Sequence, residues 1–115
     1  MSAGFDDFFD AFAGAYLRAD GVVAGAFAVP AVVFGPERTE IFVTRADVLA
    51  WLVTERARLA SAGVRALAWA NLEVRPVGPA QHHVTVRWEH DEGDTVYLLR
   101  GEPPDALVTA VVVSR

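Results

Sequence analysis

Three histidines and the acidic segment that follows them are the part of this sequence considered first, because their side chains could serve as acids, bases or metal ligands. His82 and His83 are adjacent, and His90 directly precedes Asp91-Glu92-Gly93-Asp94. Adjacent residues of a strand point to opposite faces, so His82 and His83 cannot both enter one cavity. We interpret the histidines as solvated side chains and the acidic segment as a solvated turn.

The sequence has no motif for metal, phosphate or covalent chemistry. Strand alternation separates the histidines from the acidic residues, and there is no helical HxxxH or HxxE pair. There is no glycine-rich phosphate loop and no Gly-x-Ser-x-Gly elbow. The absence of cysteine excludes disulfides, thiol catalysis and thiolate metal sites. We therefore expect neither a metal nor a cofactor.

The composition predicts one globular domain over residues 1–115. Hydrophobic residues make up 53% and charged residues 22%, which is enough for a substantial core. The 15 acidic residues outnumber the 10 basic ones, all arginine, which argues against nucleic acid or an anionic membrane as a partner. The first residues do not resemble a signal peptide, and the apolar run 22–34 is too short to span a bilayer. We expect a soluble cytoplasmic protein.

Two helices are predicted near the start of the chain. The first extends from Ala3 to near Arg18 with Ser2 as its cap, and the second from Gly21 to about Phe27 with Asp20 as its cap. Pro30 prevents the second helix from continuing. The first helix carries an aromatic stripe at helical spacing, formed by Phe5, Phe8, Phe9, Phe12 and Tyr16.

A third helix and six strands complete the predicted elements. Thr44 caps the helix, with Asp47 in a capping-box position, and Gly63 ends it. Its buried stripe consists of Val48, Trp51, Leu52 and Leu59. Alternation and turn signals predict strands at Ala31–Phe34, Glu40–Val43, Arg65–Val77, Gln81–His90, Thr95–Arg100 and Ala106–Val113.

The longest hairpin predicts which residues share a face of the sheet. A turn at Gly78-Pro79 places Asn71 opposite Arg87 and Glu73 opposite Thr85. One face then carries Trp69, Asn71, Glu73, Arg75, Thr85, Arg87 and Glu89. The other face is assigned to the concave side because its alanines admit a helix, and it carries Ala66, Ala68, Ala70, Leu72, Val74, Val84, Val86 and Trp88.

This order of elements resembles the nuclear transport factor 2-like superfamily, which includes SnoaL-like polyketide cyclases and ketosteroid isomerases. The resemblance rests on Phe9-x-x-Phe12-x-x-x-Tyr16, Asp20, Phe27-Ala28, Gly63 and the strand Val84-Thr85-Val86-Arg87-Trp88. It implies an α+β, cystatin-like cone, in which a curved antiparallel sheet of about six strands carries three helices on its concave face. Such a cone encloses a cavity, and the resemblance implies a reaction only weakly.

The catalytic groups of that superfamily are missing or displaced here. Ketosteroid isomerase chemistry needs a carboxylate near the end of the first strand, a tyrosine on the first helix and a neutral acid on a later strand. The segment 32–36 carries no carboxylate, Phe12 stands where the tyrosine would align, and no acid lies around Tyr97. The last strand also lacks the aspartate of a SnoaL-like cyclase, having only Thr109 as a polar residue. We predict no ketosteroid isomerase activity.

The expected cavity leaves the function open between two classes. Its walls are predicted to be Phe12, Tyr16, Phe27, Phe34, Trp51, Trp88 and Leu98, with the Tyr16 hydroxyl as the main polar group. Arg100 at the mouth would favour a ligand with a carboxylate. One class is a module that binds an apolar small molecule or a partner without catalysis. The other is a small lyase or isomerase acting on an apolar or polyketide-like compound. A further alternative is that the rings fill the cavity and Tyr16 points its hydroxyl to solvent.

A homodimer is expected through the convex face of the sheet. A sheet that is partly apolar on both faces needs cover on both sides. The residues assigned to that interface are Trp69, Arg87, Tyr97, Leu99 and Val111.

Overall fold

Three helices lie against one face of a six-stranded sheet in the computed structural model, which describes residues 3–18 and 21–113. The predicted α+β architecture is therefore confirmed. The expected caps Ser2 and Asp20 lie outside the described residues. The elements are α1 (Ala3–Leu17), α2 (Gly21–Gly25), β1 (Phe27–Phe34), β2 (Thr39–Phe42), α3 (Arg45–Ser61), β3 (Trp69–Gly78), β4 (Gln81–Trp88), β5 (Asp94–Arg100) and β6 (Leu107–Val113).

The sheet is mixed, with the strand order β2-β1-β6-β5-β4-β3. Strands β3 to β6 form an antiparallel meander, and β1 pairs with β2 in a hairpin. The expected sheet was antiparallel throughout, but β1 and β6 run parallel. A tight turn imposes antiparallel pairing only on consecutive strands, and β1 and β6 lie far apart in the chain.

The aromatic stripe of α1 forms the centre of the core. Phe5, Phe9 and Phe12 are each at most 4% exposed. The ring centroids of Phe9 and Tyr97 are 4.9 Å apart, so α1 lies directly on the middle of the sheet. No helix within the described ranges is both long and apolar enough to cross a membrane.

Both ends of α3 form as predicted. The Asp47 backbone N–H donates to Thr44 Oγ1 over 3.2 Å, and the Thr44 N–H donates to Asp47 Oδ2 over 3.1 Å. Gly63 ends the helix with a φ of +80°, where a side chain would be strained. The N–H of Val64 then donates to the Leu59 carbonyl over 2.9 Å.

Pro30 lies inside β1, which begins four residues earlier than predicted. The short helix α2 ends at Gly25, and the Val108 N–H donates to the Ala26 carbonyl over 2.7 Å. The pairing of β1 with β2 begins only at Ala31, and its pairing with β6 is interrupted between Phe27 and Val32. The missing N–H of Pro30 therefore removes no ladder hydrogen bond.

The β3–β4 hairpin has the predicted register at its centre. Asn71 pairs with Arg87 and Glu73 with Thr85. However, β3 begins at Trp69, so the segment from Arg65 to Ala68, predicted as strand, precedes the sheet. Ala66, Ala68 and Ala70, assigned to the concave face, are all exposed.

Trp69 lies on the helix-covered face, opposite to the prediction. The register shifts between Trp69 and Asn71, so that Trp69 pairs with Trp88 and Ala70 is the extra residue of a bulge. A bulge reverses the face on which the residues before it lie. The Trp69 indole N–H donates to Asp10 Oδ1 of α1 over 3.0 Å.

The residues of β5 also face opposite to the prediction. Tyr97 pairs with Val84 and Val111, and Leu99 pairs with Val108. Tyr97, Leu99 and Val111 are at most 6% exposed and pack in the core, not in a convex interface. Of the residues expected at that interface, Arg87 lies on the open face. We use "open face" for the side of the sheet away from the helices.

Candidate ligand-binding cavity

A cavity of about 70 Å³ remains between α1, α3 and the helix-covered face of the sheet. Its aromatic walls come from the two helices and from the strands beneath them. The predicted wall residues that line it are Phe12, Tyr16, Phe27, Trp51 and Trp88. These five side chains, predicted to share a wall, therefore lie around one cavity, and their role in binding stays a prediction.

Phe34, Leu98 and Arg100 lie outside this lining. Phe34 is 45% exposed, and its neighbour Val33 lines the cavity in its place. Leu98 lies on the open face while Tyr97 lines the cavity, because successive residues of a strand face opposite ways. Arg100 is exposed at the end of β5, so the carboxylate-binding role expected for it does not apply to this cavity.

Aromatic rings occupy most of the space between α1 and α3. The Trp51 ring centroid lies 5.9 Å from that of Tyr16, 6.4 Å from that of Phe27 and 5.4 Å from that of Phe42. Such edge-to-face and tilted contacts are the favoured geometries of aromatic pairs. The cavity is thus a small space within a packed aromatic cluster. It is neither the wide open cavity nor the completely filled one that the sequence left as alternatives.

Glu55 brings a carboxylate to the cavity, which the sequence prediction missed. Its side chain is 18% exposed and lies on α3 one turn after Trp51 and one turn before Leu59. Its Oε1 accepts from the Tyr16 hydroxyl over 3.2 Å, and its two oxygens accept from Arg58 Nη2 and Nε over 2.9 and 3.0 Å. These contacts hold the carboxylate at the polar end of the cavity.

The Tyr16 hydroxyl is not directed to solvent, and its proton already has an acceptor in the protein. It is bound to Glu55, in a partly buried contact between α1 and α3. Burial, followed by the charge of Glu55, raises the pKa of the Tyr16 hydroxyl well above its ordinary value. Tyr16 therefore stays protonated and links the two helices.

Tyr97 and Trp88 form a second polar pair, deeper in the core. The Trp88 indole N–H donates to the Tyr97 hydroxyl oxygen over 3.1 Å, and both side chains line the cavity. Burial raises the pKa of Tyr97 above its ordinary value, although the hydrogen bond from Trp88 acts in the opposite direction. The cavity thus holds a neutral phenol hydroxyl beside the buried side chain of Thr95, which is 5% exposed.

The polar end of the cavity also carries Arg58, His90 and Asp91. The hydrogen bonds from Arg58 to Glu55 raise the pKa of the guanidinium, and the charge of Asp91 adds a smaller effect in the same direction. In the sequence, His90 and Asp91 were interpreted as solvated. His90 is exposed and Asp91 is half-buried, and both residues line the cavity.

His82 is more buried than its interpretation as a solvated residue allowed. Its side chain is 13% exposed, and its ring centroid lies 4.9 Å from that of Phe5. Its Nε2 lies 3.3 Å from Glu102 Oε2. In the parts of the chain that the structure describes, no three histidine, aspartate or glutamate side chains are grouped so as to hold a metal ion.

Comparison with solved structures finds the same fold in proteins of low sequence identity. An NTF-2 like protein of unknown function from Shewanella oneidensis MR-1 has a TM-score of 0.71 at 11% identity, covering 99% of this chain and 98% of that chain. The beta subunit of the benzoate 1,2-dioxygenase from Burkholderia mallei has a TM-score of 0.67 at 13% identity, covering 95% and 86%. An NTF2-like protein with a cystatin-like fold from Novosphingobium aromaticivorans has a TM-score of 0.65 at 13% identity, covering 93% and 76%. These likenesses show the fold alone.

The sequence itself matches a protein family over most of its length. No curated protein matches the chain. Residues 1–101 match the family described as NTF2-like protein (DUF6841). The resemblance to the nuclear transport factor 2-like superfamily is therefore confirmed, and the chain belongs to the NTF2-like family DUF6841.

Proposed function

We propose that this protein binds a small, mainly apolar molecule in the cavity between α1, α3 and the sheet. The observation that carries the proposal is the cavity itself, which remains within a tightly packed aromatic cluster and has a few polar side chains in its lining. Apolar walls with a few convergent polar groups are typical of small-molecule sites.

The size of the cavity limits the ligand. A volume of about 70 Å³ has room for about five to seven water-sized spheres, taking about 10–15 Å³ for each. A ligand with about that number of non-hydrogen atoms, such as a five-membered ring with one substituent, fits without movement of the walls. A polycyclic polyketide would require Trp51 or the pair Glu55 and Arg58 on α3 to move.

The test is an NMR titration of the ¹⁵N-labelled protein with cyclopentanone, a neutral ring of suitable size. We expect saturable shifts confined to amides around the cavity, such as those of Trp51 and Tyr97. Absence of saturable shifts at millimolar concentrations would contradict the proposal.

A matched pair of variants on β6 locates the site. Val113 lines the cavity, whereas Val112 pairs with Phe34 and Val96 on the open face. In Val113→Phe the new ring would occupy the ligand's space and weaken binding by about tenfold or more. Val112→Phe adds the same ring on the other face, and we expect its affinity to equal that of the wild type. Equal affinities in all three proteins would place the ligand elsewhere.

A second candidate is a small lyase or isomerase, because a carboxylate lies at the cavity. Glu55 could act as a general base that removes a proton from the carbon next to a carbonyl group. In heavy water, the protein would then catalyse the exchange of these protons of cyclopentanone for deuterons from the solvent. Glu55→Gln would lower the rate by roughly 10²–10⁴-fold. If the wild type exchanges these protons no faster than the buffer does, the catalytic candidate is wrong and the binding proposal is unaffected.

A further inference from the structure

The buried hydroxyl of Tyr97 accepts a hydrogen bond from Trp88 but donates none to the described residues. A phenol hydroxyl can accept hydrogen bonds and can donate one. The oxygen of Tyr97 accepts from the Trp88 indole N–H over 3.1 Å. No hydrogen bond from the Tyr97 hydroxyl to an acceptor occurs within residues 3–18 and 21–113.

The cavity can supply the missing acceptor. Tyr97 is 6% exposed, and Phe9 and Phe12 enclose its ring with centroids 4.9 and 5.7 Å away. Buried polar groups nearly always have a hydrogen-bond partner, which can be a bound molecule. Because Tyr97 and Trp88 both line the cavity, a molecule within it can accept the hydroxyl proton.

The charges around the cavity indicate that this acceptor is neutral. Two carboxylates, those of Glu55 and Asp91, line the cavity against one guanidinium, that of Arg58, and the excess negative charge opposes the entry of an anion. The guanidinium of Arg58 already binds both oxygens of Glu55, at 2.9 and 3.0 Å. It is therefore poorly placed to neutralise a second carboxylate.

We propose that the ligand is a small neutral carbonyl compound, with its carbonyl oxygen accepting the Tyr97 hydroxyl proton and its hydrocarbon part against the aromatic walls. This inference rests on the proposed function, since it names the ligand class of the same cavity. It assigns to Tyr97 the polar role that the sequence had suggested for Tyr16.

The test compares three probes with the same number of non-hydrogen atoms by NMR titration. Cyclopentanone has the carbonyl oxygen, methylenecyclopentane replaces that oxygen with a CH₂ group, and cyclopropanecarboxylate is an anion. We expect the wild type to bind cyclopentanone more tightly than methylenecyclopentane by a factor of about 2 to 10, the usual effect of one neutral hydrogen bond. Cyclopropanecarboxylate should bind least tightly. Equal or tighter binding of the anion would overturn the neutral ligand class.

Variants assign the preference for the carbonyl to a residue. In Tyr97→Phe, cyclopentanone and methylenecyclopentane should bind equally, because the donor is gone and the shape is kept. Trp69→Phe is the control, since it removes an indole donor that bonds to Asp10 outside the cavity, and it should keep the preference. If Tyr97→Phe keeps the preference, or if Tyr16→Phe rather than Tyr97→Phe abolishes it, the inference is wrong.

The two proposals can fail separately. If none of the probes binds the wild type, both fail. If cyclopentanone and methylenecyclopentane bind the wild type equally, the cavity is a binding site but the role of Tyr97 is wrong.

The Trp88 indole N–H signal keeps the test decisive even if Tyr97→Phe does not fold. Trp88→Phe assigns this signal among those of the chain's three tryptophans. In the wild type, a carbonyl bound to the Tyr97 hydroxyl should strengthen the Trp88 hydrogen bond and shift the indole signal, since linked hydrogen bonds polarise one another. Methylenecyclopentane should shift it less. Equal shifts with both probes would contradict the inference.

Discussion

Both tyrosines of the chain carry neutral hydroxyls within the folded protein. Burial is the main cause of the raised pKa of Tyr16 and of Tyr97. In the unfolded chain both would ionise near the ordinary value of about 10. A group whose pKa is raised on folding adds stability that is fully present below the unfolded pKa and is lost as the pH rises through the folded pKa. The fold should therefore lose stability above about pH 10.

An alkaline titration tests the state of the tyrosines directly. The chain has two tyrosines, so the tyrosinate absorbance at high pH reports on these two hydroxyls alone. Free tyrosine ionises at about pH 10. We expect no rise in the absorbance of the folded protein near that pH. The absorbance should rise only together with the loss of the far-ultraviolet circular dichroism signal. The urea-unfolded protein is the control and should titrate normally. A gradual rise while the fold is intact would mean that at least one hydroxyl is accessible to solvent.

The polar residues of the cavity differ in how far the sequence could have predicted them. Glu55 shares the stripe of Val48, Leu52 and Leu59, so helical spacing already placed it on the buried face of α3. Its partner Tyr16 lies 39 residues away, and no local pattern reveals that contact. Tyr97 could have been placed on the correct face. The predicted four-residue turn at 91–94 would pair it with Trp88, whereas it pairs with Val84, and both partners lie on the helix-covered face.

The helix cap of α3 gives a prediction at the scale of the element. Thr44→Ala removes the oxygen that accepts from the Asp47 N–H, and it should lower the free energy of unfolding by about 1 kcal/mol. Thr54→Ala is the matched control, because the Thr54 hydroxyl donates to the Ala50 carbonyl in the middle of the same helix. Urea denaturation of the three proteins measures the difference. An equal loss in both variants would show that the cap has no special role.

The other half of the cap should be sensitive to acid. Hydrogen bonds from the backbone N–H groups of Val43 and Thr44 lower the pKa of Asp47. A carboxyl whose pKa is lowered on folding adds stability that is present above the unfolded pKa, about 3.9, and is lost as the pH falls through the folded pKa.

Asp47→Asn tests this acid sensitivity. The free energy of unfolding of the variant should fall less steeply than that of the wild type as the pH is lowered from about 5 through the ordinary range of aspartate. Denaturation curves at several acidic pH values measure both slopes. Identical slopes would mean that Asp47 does not couple the cap to pH.

Regular elements were more predictable than their irregularities. The bounds of α1 follow from the helical period, those of α3 from the period and its cap, and the centre of the β3–β4 register from the turn. The bulge at Ala70 was not predicted, since alanine carries no special turn signal. Another register shift separates Ala110 from Val108 on β6, and the Thr109 hydroxyl between them donates to the Leu98 carbonyl. Each shift depends on the packing of two strands against each other, which the residues of one strand do not reveal.

At the scale of the molecule, the sequence predicted the layers but not the order of the strands. The change from helical to alternating period indicated helices on one side of a long sheet. Nothing local joins β1 to β6, whose parallel pairing connects the N-terminal hairpin to the meander. The cavity lies beneath α1 and α3 near this junction, where Val33 of β1 and Val111 of β6 both line it. The position of the cavity thus depends on a long-range pairing.

The open face of the sheet leads to the remaining prediction, a homodimer. Phe34 is 45% exposed and Ile41 is 68% exposed at one end of this face. Leu98 and Val96 continue the apolar surface across β5. On β4 and β5 of the same face, Arg87 Nε lies 2.7 Å from Asp94 Oδ1, so one part of the open face is polar. We propose that a second copy covers this face, because a sheet that is apolar in part on both faces is normally covered on both sides.

Sedimentation of two charge variants with matched exposure tests the dimer. The wild type should sediment at twice the monomer mass of 12.4 kDa at high micromolar concentration. Phe34→Asp places a charge on the open face and should give monomers, since an unpaired buried charge strongly disfavours an interface. Val53→Asp is the control, because Val53 is also 45% exposed but lies on α3. It should remain dimeric. A wild type that is monomeric, or a Phe34→Asp variant that still dimerises, would show that the open face is not the interface.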